Sequence, residues 1–261
     1  MTAAPEVVRS AANPRFKALR QLATDNTAWR KQGRIWLEGD HLCRAALARG
    51  IRAQLAVRAE SCANPGLARE SEDILVLDDA LFRSLSGLES PSDVGFVLTI
   101  PTPSQVDPQV PTVVLDRLQD AGNVGSILRS AAAFGCTQVI ALKGTAALWS
   151  PKVLRAGMGA HFALALFDAQ DEAVLEALRV PLLATSSHAG TVVHEAALPW
   201  PCAWMLGHEG QGLSASLASR ASLHVRIAQP GGEESLNVAA AAAICLHASA
   251  ARAPQARQRS E

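Results

Sequence analysis

The sequence predicts an α/β protein: a parallel sheet covered by helices on both faces in its C-terminal part, preceded by a smaller α/β domain. Three observations predict it. Between residues 112 and 251, six short and mostly apolar runs alternate with helical stretches. A stretch with four prolines and no apolar periodicity, IPTPSQVDPQVP at 100–111, separates that region from what precedes it. A shorter alternation of the same kind fills residues 34–100. Strand–helix alternation is the signature of a helix-covered sheet, and nearly continuous apolar strands are what a parallel sheet buried on both faces requires.

The elements follow in order. Arg9, Arg15, Lys17, Arg20, Arg30, Lys31 and Arg34 face only Glu6 and Asp25 over the first 35 residues. They read as a basic helical arm, which could contact phosphates or simply be a solvated helix face. RIWLE (34–38) and AQLAV (53–57) read as strands around an amphipathic helix over 40–49. ILVL (74–77) and VGFVLTI (94–100) bracket a further helix starting near Asp78. After the linker, strands are expected at 112–116, 138–142, 162–166, 181–185, 202–207 and 223–228. Helices are expected over 124–134, 171–179, 213–220 and 236–251. The domains are therefore placed at 1–104 and 105–252, with 253–261 (APQARQRSE) as a polar disordered tail.

Apolar residues make up 49% and charged residues 18%, which is the composition of a globular chain with a substantial core. Formal net charge is zero, which argues against a polybasic tail protein but leaves a local basic patch open. The five cysteines lie at 43, 62, 136, 202 and 245 without a C-x-x-C pair, so neither a disulfide framework nor a zinc site is indicated. The first seventeen residues lack the apolar stretch of a signal peptide, and the longest apolar run, Val238 to Leu246, is too short to span a bilayer. A cytoplasmic protein without membrane contact is expected.

Three loops after strands are rich in Gly, Asn and acidic residues: DRLQDAGNVGSILRSAAAFG (116–135), MLGHEGQGLS (205–214) and RIAQPGGEESLNVAAAAA (226–243). In open α/β sheets ligands bind beyond the carboxyl ends of the strands, which is where these loops fall. Taken singly, each has an ordinary explanation. Gly122 and Gly125 suit a tight turn, and Asn123 and Ser235 suit helix N-caps. The dinucleotide fingerprint G-x-G-x-x-G is absent after the first strand, and the phosphate loop G-x-x-x-x-G-K-[ST] is absent throughout. The GMG at 157–159 has neither the remaining spacing nor an acidic partner. A nicotinamide-dependent oxidoreductase thus lacks its glycine signature.

Taken together, the three loops resemble the three signature motifs of the SpoU/TrmH family of RNA 2′-O-ribose methyltransferases, of the SPOUT class. Asn123 to Ala131 resembles the first motif, Gly207 to Gly212 the second, and Ile227 to Gly231 with Glu234 to Val238 the third. NPRFKALRQL (13–22) and WLEGDHLCRAAL (36–47) are similar to the opening segments of the N-terminal substrate-binding domain often fused to it. Ala121 stands where the family commonly has proline, and Ala228-Gln229 replace a common Pro-Met. These departures affect loop stiffness and no functional group.

The resemblance implies a SPOUT domain with a deep trefoil knot, an L30e-like N-terminal domain, a homodimer, and S-adenosyl-L-methionine (SAM) as cofactor. It implies an RNA substrate, ribosomal RNA ahead of tRNA, and no DNA. Gly207, Ile227 and Leu236 match positions that hold the adenine and methionine parts of SAM, and Thr185 at a strand end joins them. Arg129 matches the arginine assigned to the 2′-hydroxyl and its phosphate. An arginine is a poor base, so stabilising the nascent alkoxide is the physically easier role. Glu209 would organise the knot loops, Ser235 and Asn237 would position substrate or Arg129, and Asn123 would be a substrate or structural contact. Methyl transfer from a sulfonium to oxygen is an in-line displacement that needs orientation and no metal. A catalytically silent RNA-binding member of the same fold is the alternative, against which the intact functional side chains argue. His161, His188, His194 and His208 show no ligand spacing and read as structural or surface residues, and Trp149 as packing.

Overall fold

The computed structural model describes residues 7–63, 65–87, 92–186, 190–231 and 235–253. Two compact units make up the chain: Met1–Pro101 with Ala147–Phe162, and Thr102–Ala146 with Ala163–Glu261. The segment 147–162, which the sequence reading leaves in the C-terminal half, groups with the first unit. Glu234, His188 and residues 254–261 of the expected tail lie outside the described residues.

The first unit runs β1 (Val7–Val8), α1 (Pro14–Thr24), α2 (Ala28–Gln32), β2 (Arg34–Glu38), α3 (Asp40–Leu47), β3 (Ala53–Ala59), β4 (Ser71–Leu77), α4 (Asp79–Arg83) and β5 (Val94–Thr99). Its five strands pair in the order β1-β4-β3-β5-β2, parallel from β1 to β3 and antiparallel from β3 to β2. Helix α1 starts where the Asn13 side chain accepts hydrogen bonds from the Arg15 and Phe16 N–H groups, with Pro14 in the first turn. It buries Phe16, Leu19, Leu22 and Ala23 against Trp36, Val57, Leu75, Leu77 and Phe82. The expected basic arm is therefore a wall of the core, because one stripe of α1 is apolar at helical spacing. Arg9 pairs with Glu60 at 2.7 Å and Arg15 with Asp73 at 2.5 Å. Lys17, Arg20 and Arg34 are exposed and form no ion pair among the described residues.

Within the first unit, α6 (Pro151–Gly157) has no counterpart in the apolar pattern. It is capped by the Ser150 hydroxyl and started by Pro151, and it is followed by His161, which is fully buried. His161 Nε2 lies 2.9 Å from the Leu148 carbonyl, while Nδ1 has no partner among the described residues. Burial pushes the imidazole pKa down to about 4, against the smaller opposing effect of the Leu148 carbonyl. The folded state thus binds this proton less readily than the unfolded chain does, so stability is complete above the ordinary value of 6.5 and falls as pH drops toward 4. Between pH 7.5 and 5 the loss is ~2 kcal/mol. Urea unfolding at the two pH values should show it, and His161→Gln, whose amide can still donate to Leu148, should remove most of it.

The second unit holds β6 (Thr112–Leu115), α5 (Ala121–Ala133), β7 (Gln138–Leu142), β8 (Ala165–Gln170), β9 (Leu182–Thr185), β10 (Thr191–Val192), β11 (Ala203–Leu206), α7 (Ala215–Ala218), β12 (Leu223–Arg226) and α8 (Val238–Ala250). All seven strands are parallel, in the order β10-β12-β9-β11-β6-β7-β8. Val114, Ile140, Ala203 and Met205 bury one face with Leu175, Leu178 and Leu217. On the other, Trp204 donates from Nε1 to the Ser249 hydroxyl of α8 at 2.9 Å, and α8 packs on α5.

Several expected elements differ. The strand expected at 162–166 starts at Ala165, where pairing with Gln138 begins, and a 3₁₀ turn occupies Ala160–Ala163. The helix expected at 171–179 is 3₁₀ over Glu172–Ala177, a tighter winding that lets Leu175 and Leu178, one such turn apart, both bury. That expected at 213–220 is one turn, Ala215–Ala218. Strands β1 and β10, two residues each, carry too short a pattern to read. Among the described residues no helix is long and apolar enough to cross a membrane.

Candidate active site

Strand register brings the three loops together. Leu115 pairs with Leu206, so Asp116 and Gly207 leave the sheet side by side, and the Asp116 N–H donates to the Leu206 carbonyl at 2.8 Å. Thr185 pairs with Val225, so β9 and β12 end at the same edge. From β6 the chain continues to β7 on one side, while β11 is flanked on the other by β9. That divergence is the switch point at which open α/β sheets leave a crevice.

After β6, Asp120 is the N-cap of α5: its side chain accepts the Asn123 N–H at 2.7 Å. Asn123 was expected as the cap. Instead it lies in the first turn with its amide free for other work, and Gly122 and Gly125 lie inside the helix and make no turn. The second loop is a small hairpin in which His208 and Gly212 exchange backbone hydrogen bonds at 3.0 and 2.8 Å. His208 Nδ1 accepts from the Gly210 and Gln211 N–H groups, a local structural role. The third loop ends at Asn237, the N-cap of α8, whose Oδ1 accepts from Ala239 and Ala240. Ser235 lies two residues before that cap and is exposed.

A directed chain of hydrogen bonds connects the three. Asn237 Nδ2 donates to Asn123 Oδ1 at 2.9 Å, and Asn123 Nδ2 donates to Glu209 Oε1 at 3.2 Å. Glu209 also accepts the N–H groups of Gln119 at 3.2 Å and Asp120 at 3.1 Å. Partial burial pushes its carboxyl pKa up, but its own N–H, those of Asp120 and Gln119, and the Asn123 amide outweigh that and hold it below the ordinary value. The ionised carboxylate can only accept, and the helix N–H groups of α8 can only donate. Both amide orientations are thereby determined.

Around this chain, Gly207 is buried, and a Cβ there would lie 2.2 Å from the Gly212 carbon and the Leu213 nitrogen. The conformation therefore requires glycine. Ile227 is half-buried beside an open groove of about 560 Å³ lined also by Val193, Ala243 and Ile244, and Leu236 is 41% exposed. Thr185 closes β9, with its hydroxyl 3.5 Å from the Met205 carbonyl. Uncovered apolar surface at Ile227 and Leu236 fits the purine of SAM. Arg129 is not drawn into the network. It lies six residues beyond Asn123, about 9 Å along α5 and about 120° around it. Its exposed guanidinium makes no hydrogen bond or ion pair among the described residues.

Four further residues take part that the motifs do not mark: Asp116, Arg117, Gln119 and Asp120. Asp120 had a signal, an acidic residue three before Asn123 at a strand-to-helix turn. Gln119 acts through its backbone N–H, which no residue type announces. Cys43, Cys136, Cys202 and Cys245 are buried, and burial raises the pKa of their thiols, Cys43 beyond the range of thiol chemistry. Trp149 is buried against His161, with ring centroids 5.2 Å apart. Among the described residues no group of three His, Cys, Asp or Glu side chains could hold a metal ion.

The model of the SpoU rRNA Methylase family matches residues 111–247. The chain is 28% identical over 244 residues to the 23S rRNA (guanosine(2553)-2′-O)-methyltransferase RlmP of Bacillus subtilis (strain 168), covering 92% of this chain and 97% of that protein. A crystal structure described as an RNA 2′-O ribose methyltransferase superposes with a TM-score of 0.78 at 31% identity, covering 95% of this chain and 98% of the other. An AdoMet-bound rRNA methyltransferase from Sinorhizobium meliloti superposes with a TM-score of 0.84 at 26% identity, again over 95% and 98% of the two chains.

Proposed function

This chain belongs to the SpoU rRNA methylase family, and from that premise we propose that it transfers the methyl group of SAM to a ribose 2′-hydroxyl of ribosomal RNA. The observation that carries the reading is the hydrogen-bonded chain Asn237–Asn123–Glu209, which joins all three motif loops at the switch point. Ribosomal RNA is preferred to tRNA because a relative matched along nearly its whole length is named as a 23S rRNA enzyme.

Bound SAM supplies an electrophilic methyl group. The backbone around Gly207, the apolar Ile227 and Leu236, and Thr185 are proposed to hold it. Glu209 keeps the loops in register and Asn123 oriented, while Asn237 couples them to α8. Ser235, exposed beside them, is proposed to contact the ribose. Arg129 is proposed to stabilise the 2′-oxygen as it loses its proton, and to grip the adjoining phosphate, as a permanently charged fork can.

Three finer features belong to the same proposal: a deep trefoil knot formed by these loops, a homodimer, and a cytoplasmic location. The dimer is supported by α8, a mostly apolar helix that exposes Ala240 and Ile244, with His247 the one polar residue in the same stripe. The first unit is proposed as an L30e-like substrate-binding domain, with Lys17, Arg20 and Arg34 as phosphate contacts.

Incubation with labelled SAM and bacterial ribosomal RNA should label the RNA, and alkaline hydrolysis should leave one resistant dinucleotide that maps the ribose. Replacing Lys17, Arg20 and Arg34 by Gln should weaken RNA binding and reduce its salt slope by roughly 0.7–0.9 per lost contact, with SAM affinity unchanged. RNA binding without transfer would support the silent RNA-binding alternative.

A further inference from the structure

Arg117 is the first residue but one beyond β6, and its backbone φ is +56°, a left-handed conformation that side-chain-bearing residues rarely adopt. All three of its guanidinium nitrogens donate hydrogen bonds. Nε and Nη2 donate to the two oxygens of Asp116 at 2.9 and 3.2 Å. Nη1 donates to Gln211 Oε1 at 3.1 Å, and Nη2 also reaches the Gly212 carbonyl at 3.4 Å. Asp116 is buried, and its Oδ2 accepts the Ser214 N–H at 2.8 Å. The pair Asp116–Arg117 therefore grips the 208–212 hairpin at Gln211 and Gly212 and again just beyond it, at Ser214.

The other bonds on that side are internal to the hairpin, from His208 to the Gly210, Gln211 and Gly212 backbone. Gly212 has φ +67°, and no atom lies within 4 Å of where its Cβ would be. Yet the hairpin sets two things at once: Glu209 meets Asn123 from it, and Gly207 starts it. We infer that Arg117 is a positioning residue that clamps this hairpin over the cofactor crevice, acting through Gln211 and Gly212 and not on substrate. The inference rests on the SAM-dependent reading above. Without the clamp the hairpin samples more conformations, and binding must order it. Affinity for the cofactor then falls while the bound complex reacts normally.

The full-length protein tests this with Arg117→Gly and Arg117→Lys. Glycine removes the clamp and tolerates the left-handed backbone, and the buried Asp116 carboxylate keeps the Ser214 N–H when it loses the guanidinium. For Arg117→Gly the KM and calorimetric Kd for SAM should rise about tenfold, as expected for losing hydrogen bonds from a charged donor, with kcat within about twofold and Tm within a few degrees. Lysine retains a charge on Asp116 but not the fork, so it should recover only part of the affinity. Unchanged SAM affinity in Arg117→Gly, beside normal wild-type binding, overturns the clamp and leaves the methyltransferase reading intact. A fall in kcat at constant KM, or a loss of activity that merely tracks a lowered Tm, overturns it too. Failure of the wild-type protein to bind SAM overturns that reading, and the clamp with it.

Discussion

Gly207→Val abolishes SAM binding, and Gly207→Ala does nearly as much, when the two are compared with wild type by calorimetry. If a side chain here did no more than fill space shared with the cofactor, alanine would be mild and valine severe. The structure gives a different cause. The first carbon added would already lie 2.2 Å from the Gly212 carbon and the Leu213 nitrogen, and 2.5 Å from the Gly212 oxygen. These are backbone atoms, with no flexible end to move aside. The hairpin must shift bodily, breaking the His208–Gly212 bridge and taking Glu209 away from Gln119, Asp120 and Asn123. Overpacking costs roughly 1–3 kcal/mol where side chains can adjust. Where only backbone can, the upper end is expected, which is a loss of about a hundredfold or more. Circular dichroism should show both variants folded. Wild-type affinity in Gly207→Ala removes Gly207 from the cofactor site.

Arg129→Ala slows methyl transfer by roughly 10²–10³-fold, the scale of removing one preorganised donor to a developing oxyanion. SAM affinity stays within a few-fold of wild type. The contrast follows from position: Arg129 makes no hydrogen bond with the cofactor loops among the described residues, and its guanidinium is open to solvent on α5. Lysine restores little, because a point charge cannot reproduce the planar fork that engages an oxyanion and a phosphate together. Single-turnover methylation of ribosomal RNA, with SAM affinity measured separately, distinguishes the two effects. A wild-type rate in Arg129→Ala would falsify its role.

The sequence alone determined the two alternating α/β regions and most strands of both sheets. β2 and β7 coincide with their expected spans, and β6, β9, β11 and β12 fall within theirs, because a strand buried on both faces must be an unbroken apolar run. It also carried the family, through the three motif loops that hold Asn123, Glu209 and Asn237. Short and tightly wound elements escaped it. Two-residue strands and 3₁₀ turns carry too few residues for a period to emerge, and α6 is announced only by Ser150 and Pro151.

Tertiary structure alone decided how the functional residues meet. The capping of α5 by Asp120 and of α8 by Asn237 moved both helix starts, and those two shifts release Asn123 and Asn237 to bond each other. The pairing of Leu115 with Leu206 brings residues some ninety positions apart to one edge, so that Glu209 can take the N–H groups of Gln119 and Asp120. No residue type signals a backbone donor, and none signals that an arginine has φ +56° with both sides of its fork engaged. Local pattern records which face of an element is buried; register between parallel strands, set by packing over the whole sheet, records which loops touch.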